Sequence, residues 1–417
     1  MRFLLGLAWK NLSRYKKRTM ITASAIAVGL GIFIFLDSWL LGMEQESERN
    51  LIWYESSYAR IMNDEYWEEK DQLPLEYVIE DPDAVVARLT EMKIPAAARI
   101  VFGGELIIRE DPFEQDGSMP VKIYAIDPGN DDNVFRFRET ITAGRYLEPG
   151  EDSVLMGSWL AEDLGAQIGF PITIITTTRD GYYQTLDLII AGIVNCPNPV
   201  VNRSSIFIPL DTADFYLEMR GAVTEINLKF PQRADAELMA AEINDRIATD
   251  FAGLEVLSWK ILAKDYVALA TTKQSGTRMI LFLVFIIAAV GVSNTMLMAI
   301  YERVRELGMM RALGMKRSQI RLAFLFEAGG IGFIGSVLGM LLGAALCFWI
   351  VKWGVDYSAM TRDMDIGYRV AGIMRGAWNP AAFVQAFFFG ILLSVAVAFI
   401  PTRRALKMSI TSCLRDQ

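Results

Sequence analysis

The side chains able to do chemistry are concentrated in one short stretch. Residues 301–321, Tyr-Glu-Arg-Val-Arg-Glu-Leu-Gly-Met-Met-Arg-Ala-Leu-Gly-Met-Lys-Arg-Ser-Gln-Ile-Arg, form a charged segment between two long apolar runs, and they read as a contact surface for a soluble partner. Two isolated acids, Asp37 and Glu327, fall within or at the end of apolar runs. Ionisable groups there are costly enough to be functional suspects, although Asp37 lies close enough to the end of its run to reach headgroups or water. The chain has no histidine, which excludes a Ser-His-Asp triad and any His-ligated metal. Its three cysteines, Cys196, Cys347 and Cys413, stand in three different environments and suggest no disulfide or metal cluster. The acid pairs Glu68-Glu69 and Asp131-Asp132 and the acid at Asp116 match no calcium-loop spacing. They read as solvated surface charge, so no metal site and no catalysis by this chain are expected.

The elements that must position the charged stretch follow from segregation of apolar and charged residues. The chain has 417 residues, 53% hydrophobic and 22% charged, too apolar for an ordinary soluble protein and too charged to lie wholly in a membrane. Residues 1–19 carry six basic residues and no acid, with Phe3, Leu4, Leu7, Ala8 and Leu12 at helical spacing, which predicts a basic amphipathic helix on an anionic membrane surface. Residues 20–43 are a largely apolar run matching the ~20 residues needed to cross a bilayer. The run exceeds a signal-peptide core and lacks a small-residue cleavage site after it, so it is read as an uncleaved first span. Residues 279–300, 322–351 and 381–401 supply three more apolar runs, with 352–380 an outer loop and 402–417 a tail. The second run contains Ser293-Asn294-Thr295, polar groups suited to bonding neighbouring helices. The third carries Gly335, Gly339 and Gly343 at four-residue spacing, a stripe that lets another helix approach closely, either within the chain or across a dimer.

Charge sets the expected orientation. Residues 44–278 hold 41 acidic against 21 basic residues, whereas 1–19, 302–321 and 402–417 have net charges of +6, +4 and +3. Short loops rich in Lys and Arg face the cytoplasm, so both termini and the charged stretch are expected inside and the acidic domain outside. Nucleic acid is not an expected partner, since it would need a basic face. The outer segment reads as α+β: helices at 82–91, 153–165, 212–218 and 234–248, and strands at 98–109, 121–126, 171–178, 184–194, 205–209 and 224–230. Residues 44–62 keep helical character and are expected to carry the first span outward as a stalk. The aromatics Trp53, Tyr54, Tyr58, Tyr66 and Trp67 suit either stalk packing or a path for apolar cargo.

The wording Asn294-Thr295-Met296-Leu297-Met298, then Glu302-Arg303-x-Arg305-Glu306-Leu307-Gly308-Met309-Met310-Arg311-Ala312-Leu313-Gly314-Met315, resembles the signature of the FtsX-like permease family of ABC transporters. Leu7-Ala8-Trp9-Lys10-Asn11-Leu12, Pro401-Thr402-Arg403-Arg404-Ala405, Ala143-Gly144-Arg145-Tyr146 and Ile206-Phe207-Ile208-Pro209-Leu210 add to it, the last two resembling the MacB-like periplasmic core domain. The resemblance implies an inner-membrane protein of four transmembrane helices with a large α+β extracytoplasmic domain between the first and second. It implies that residues 301–321 are a coupling helix docking on ABC ATPase subunits through Glu302, Arg303, Arg305, Glu306, Gly308, Arg311 and Gly314. By their own positions, Asn294, Gly335, Gly339 and Gly343 are expected to serve transmembrane packing, and Glu327, near the inner end of its run, is an interfacial acid within reach of Arg303, Arg305 or Arg311. The chain contains no Gly-x-x-x-x-Gly-Lys-Ser/Thr loop, so ATP and magnesium are expected in the partner ATPase, with no cofactor bound here. Further expected partners are a second permease chain, membrane lipid, and a lipoprotein or other amphipathic cargo. Within the family the chain is read as a lipoprotein-releasing permease. A macrolide-exporter-like permease and a non-transporting complex that regulates a cell-wall hydrolase are the alternatives.

Overall fold

The computed structural model describes residues 16–109, 112–113, 116–231, 234–272, 304–357, 369–370 and 372–406, with isolated positions in 1–15 and 273–303. The chain divides into two compact units, one made of Met1–Glu44, Ala270–Val355 and Met374–Gln417, the other of Gln45–Leu269 and Asp356–Ile373. Among the described residues three helices are long and apolar enough to cross a membrane: Thr19–Ser56, Arg317–Lys352 and Pro380–Arg404. Most of the expected span at 279–300 and most of the expected amphipathic helix at 1–19 lie outside the described residues.

The first long helix, α1, runs Lys16–Leu51 and ends in a π-helical turn, Ile52–Ser56. The stalk expected to stay helical to Met62 instead stops there. Ser57 takes φ +58°, a left-handed conformation that costs a serine energy but reverses the chain into strand β1, Ala59–Asn63. Helix α2, Pro82–Glu91, begins where the sequence places it. Asp81 Oδ1 accepts from the Ala84 N–H at 3.0 Å and proline fills the first turn. Strands β2 (Ala96–Ile108), β3 (Gly117–Ile126), β4 (Ile141–Gly144) and β5 (Ser153–Gly157) follow. The helix expected over 153–165 is therefore half strand, and only Ser158–Leu164, α3, is helical. A short apolar run such as Val154-Leu155-Met156 carries no periodicity that separates a buried strand from a helix. Next come β6 (Pro171–Thr177), β7 (Tyr183–Val194), β8 (Ser205–Pro209), α4 (Leu210–Leu217), β9 (Glu225–Leu228), α5 (Ala236–Asp250) and β10 (Leu254–Ser258). These strands form one mixed sheet in the order β10-β1-β9-β2-β3-β8-β5-β7-β4, with β6 bridging β2 and β7.

Two-residue periodicity gives this sheet two cores. In β2, Ile100, Phe102 and Leu106 join the larger core with Val85 and Leu89 of α2 and Ile243 and Ile247 of α5. Ala97 and Val101 point the other way, into an aromatic core with Tyr124, Phe135, Phe137 and Phe207. Strands β3, β5 and β8 divide in the same manner. Arg99 also faces the aromatic core. It is 1% exposed, and its Nε and Nη2 donate to Asp131 Oδ1 and Oδ2 at 2.8 and 2.9 Å. The Phe135 ring lies 3.4 Å from the guanidinium carbon. The surface position expected for Asp131 is thus corrected: it is 0% exposed, while Asp132 pairs with Arg138 at the surface. Burial pushes the Asp131 carboxyl up and the Arg99 guanidinium opposes that push. Of the stalk aromatics, Tyr54 packs against Phe137 at 5.6 Å and Tyr58 against Phe230 at 6.0 Å.

The membrane unit is built on close backbone approach. Helix α7, Arg317–Lys352, lies against α1 along its glycine stripe. A Cβ at Gly335 would stand 2.8 Å from the Ile26 Cβ, one at Gly339 2.9 Å from the Leu30 Cβ, and one at Gly343 2.8 Å from the Ile34 Cβ. The neighbouring face of α7 meets the last long helix, α8, Pro380–Ala405, where a Cβ at Gly332 would stand 2.7 Å from Ser394 Oγ. In lipid, such packing replaces the hydrophobic drive that water supplies to soluble helices.

Two expectations follow. Asp131→Ala strands a buried guanidinium and should cost about 3–5 kcal/mol, whereas the double variant Arg99→Met/Asp131→Leu should recover most of it, read as thermal midpoints of the full chain in detergent; equal loss in both variants would contradict the pairing. Gly339→Leu should lower that midpoint by an overpacking cost of about 1–3 kcal/mol or more, and Leu341→Ala, on an exposed face of the same helix, should leave it nearly unchanged.

Candidate coupling elbow and its supporting helices

Within 301–321 the structure forms an elbow. Helix α6 runs Val304–Ala312 and the long α7 starts at Arg317. The stop is a paired C-terminal cap: the Gly314 N–H donates to the Arg311 carbonyl at 3.1 Å and the Met315 N–H to the Met310 carbonyl at 3.1 Å. Gly314 has φ +88° and open space where a Cβ would sit, so conformation rather than crowding demands glycine there. On the far side of the turn, Gln319 Oε1 accepts from the Lys316 N–H at 3.0 Å, closing the first turn of α7. Met310, Met315, Ile320, Phe324 and Leu406 form the small apolar cluster that holds the elbow.

What the elbow presents is a mixed stripe. Arg305, Met309 and Leu313 are spaced by four and are all exposed, Leu313 to 85%. Glu306 and Arg311 are half-buried, and Gly308 is buried. The exposed face of the elbow thus combines apolar area with positive charge. The sequence singled out the charges of this stretch; that Met309 and Leu313 share the exposed face with Arg305 follows from their four-residue spacing. Glu302, Arg303 and Asn294 lie outside the described residues. Glu327 is 5% exposed in the first third of α7, whereas Arg305 faces outward.

Gly335, Gly339 and Gly343 come together on α1, so this stripe serves packing within the chain, where the sequence left a dimer contact equally open. Asp37 also has a structural task. Asn379 Nδ2 donates to its Oδ2 at 2.7 Å just before α8 begins. Beside it, the Ala377 N–H donates to the Ser38 carbonyl at 2.8 Å, and Ser38 Oγ donates to the Ala377 carbonyl at 2.7 Å. The backbone of Arg375 passes so close to Gly42 that no side chain fits there. The segment 374–379 is thereby strapped across α1, a contact that distance along the chain concealed from the sequence.

Comparison with known proteins finds family matches over two parts of the chain. Residues 278–410 match the FtsX-like permease C-terminal family and residues 19–246 the MacB-like periplasmic core domain. The chain is 24% identical to the lipoprotein-releasing system transmembrane protein LolC of Neisseria meningitidis serogroup B over 448 aligned positions, 98% of each chain. It is 34% identical to the macrolide export ATP-binding/permease protein MacB of Bordetella avium over 130 positions, 31% of this chain and 17% of that one. The crystal structure of the periplasmic region of MacB from Actinobacillus actinomycetemcomitans aligns with 50% of this chain and 92% of that chain at 10% identity and a TM-score of 0.35. With more than half of its length matched by the periplasmic core family and most of the remainder by the permease family, the chain belongs to the FtsX-like ABC transporter permeases that carry a MacB-like periplasmic domain.

Proposed function

We propose that this chain is the permease subunit of an inner-membrane transporter that passes ATP-driven motion to its sheet domain and so releases lipoproteins from the membrane. The observation that carries the reading is the end-to-end match to a lipoprotein-releasing permease, 98% of each chain. The elbow is the proposed docking point for a separate ATPase, which holds the nucleotide and magnesium. Arg305, Glu306 and Arg311 supply charge-assisted contacts there, Met309 and Leu313 apolar ones, and Gly308 and Gly314 set its shape. Residues 279–300 complete a set of four spans, both termini are cytoplasmic, and a second permease chain pairs with this one; the excess of Lys and Arg at 1–19, 302–321 and 402–417 supports that orientation. The motion is rigid-body: a helix fixed to the motor moves the helices packed on it, and no solute need cross the bilayer.

A second reading, efflux of peptides or antibiotics, is favoured by the 34% identity to a macrolide exporter within the matched segment. A non-transporting complex that regulates a cell-wall hydrolase uses the same relay with a different output.

Membrane vesicles holding the chain and its ATPase should lose palmitate-labelled lipoprotein on addition of ATP. Glu306→Lys and Leu313→Asp should abolish both this release and co-purification of the ATPase. Retention of lipoprotein with ATP-driven macrolide export would favour the second reading, and undiminished co-purification of the Glu306→Lys chain would contradict the role of the elbow.

A further inference from the structure

The end of α1 carries polar residues where an apolar helix has no need of them. Ser47 and Asn50 are 0% and 1% exposed, and both hold the backbone of one distant residue. Ser47 Oγ accepts from the Arg369 N–H at 2.7 Å, and Asn50 Nδ2 donates to the Arg369 carbonyl at 2.8 Å. The side chain of Arg369 reaches on to the π-turn, its Nε donating to Glu55 Oε2 at 3.0 Å. Asn198 Nδ2 donates to the same carboxylate oxygen at 3.0 Å, and the Tyr266 hydroxyl donates to Ser47 Oγ at 2.7 Å. Backbone donor, backbone acceptor and side chain of Arg369 are thus all engaged, each by a residue far away in sequence.

The line of contacts continues into the sheet. Arg60 Nη2 donates to the Glu55 carbonyl at 3.2 Å, and its Nη1 lies 2.8 Å from Glu225 Oε2. Glu225 is 1% exposed and opens β9, the strand hydrogen-bonded to both β1 and β2. Arg369 itself belongs to the segment 356–373, which joins α7 to α8 in sequence yet groups with the sheet domain. A residue placed merely to solvate a loop needs none of these three partners, two of which are themselves held by Asn198 and Tyr266. Buried polar groups of this kind are expensive unless all are satisfied, and when satisfied they fix one geometry.

We infer that Arg369 is a positioning residue of the relay: by gripping Ser47, Asn50 and Glu55 it gives the chain that leads into α8 a second hold on the sheet domain, beside the covalent path through α1. The inference rests on the relay reading of the preceding subsection. In this arrangement displacement of the segment is delivered through Glu55 to the π-turn, and through Arg60 to β9. Loss of the grip leaves the motor running and the sheet domain less moved.

The test uses the full chain with its ATPase in nanodiscs, in a Cys413→Ser background, with nitroxides at Tyr183→Cys and Trp353→Cys, both exposed positions. Pulsed electron resonance reads the distance between the labels before and after trapping with ATP and vanadate. The unsubstituted complex should show a shift. Arg369→Ala should lose at least half of that shift while assembly and ATPase rate stay near those of the parent, and the exchange Glu55→Arg/Arg369→Glu should restore much of it, since Asn198 can present its amide oxygen instead. A full shift in Arg369→Ala overturns the inference, as does loss of shift together with assembly and ATPase activity, which would make Arg369 structural only. Absence of any shift in the unsubstituted complex would instead overturn the relay reading on which the inference stands.

Discussion

The packing of α7 on α1 through Gly335, Gly339 and Gly343 is the constraint from which the rest follows. A bilayer gives apolar side chains no reason to leave lipid for one another, so helices stay together through close backbone approach and dispersion contacts. Here the approach is close enough that an added methyl group at any of the three glycines would fall within 2.9 Å of a side-chain carbon on α1. Helix α7 begins at the elbow, and α1 runs unbroken from Lys16 to Leu51 and leads into the sheet domain. The stripe therefore joins the helix that starts at the proposed motor contact to the one that ends at β1. The strap at Ser38 and Asn379 adds a second hold on α1 from the start of α8.

The sheet domain is held together differently. Its two cores lie on opposite faces of one mixed sheet, and the aromatic one is pinned by the Arg99–Asp131 pair. A buried pair of this kind adds little net stability but penalises any rearrangement that separates its partners. The π-turn at Ile52–Ser56 and the left-handed Ser57 mark the opposite design, a short irregular joint between a long helix and a strand. Irregular turns of this type concentrate at functional positions. Here the joint carries Glu55, the residue gripped by Arg369.

Much of this was legible in the sequence wherever the signal was local. The Asp81 cap with Pro82 placed α2 to the residue, and Ser205–Pro209 was readable as a strand. The apolar runs and the wording around Arg305 and Glu306 located the elbow and its family. Long-range pairings were not legible. Asp131 looks like surface charge beside Asp132 because its partner Arg99 stands 32 residues away in strand β2, and the glycine stripe announces close packing without naming α1 as the neighbour. The strands β1 and β10 escaped because Ala59–Asn63 and Leu254–Ser258 are short and mixed in polarity, so that pairing with each other, rather than propensity, makes them strands. Arg369 gave no signal at all, being one arginine in an irregular loop.

In the proposed transporter the elbow and the sheet domain face opposite sides of the membrane. Single cysteines can report on it, because Cys196 and Cys347 are buried and burial pushes the Cys196 thiol up to about 12, leaving it inert to maleimides near neutral pH. In a Cys413→Ser background, a membrane-impermeant maleimide should label Tyr183→Cys in spheroplasts and label Leu313→Cys only after lysis. Labelling of Leu313→Cys in intact spheroplasts, with Tyr183→Cys protected until lysis, would contradict it.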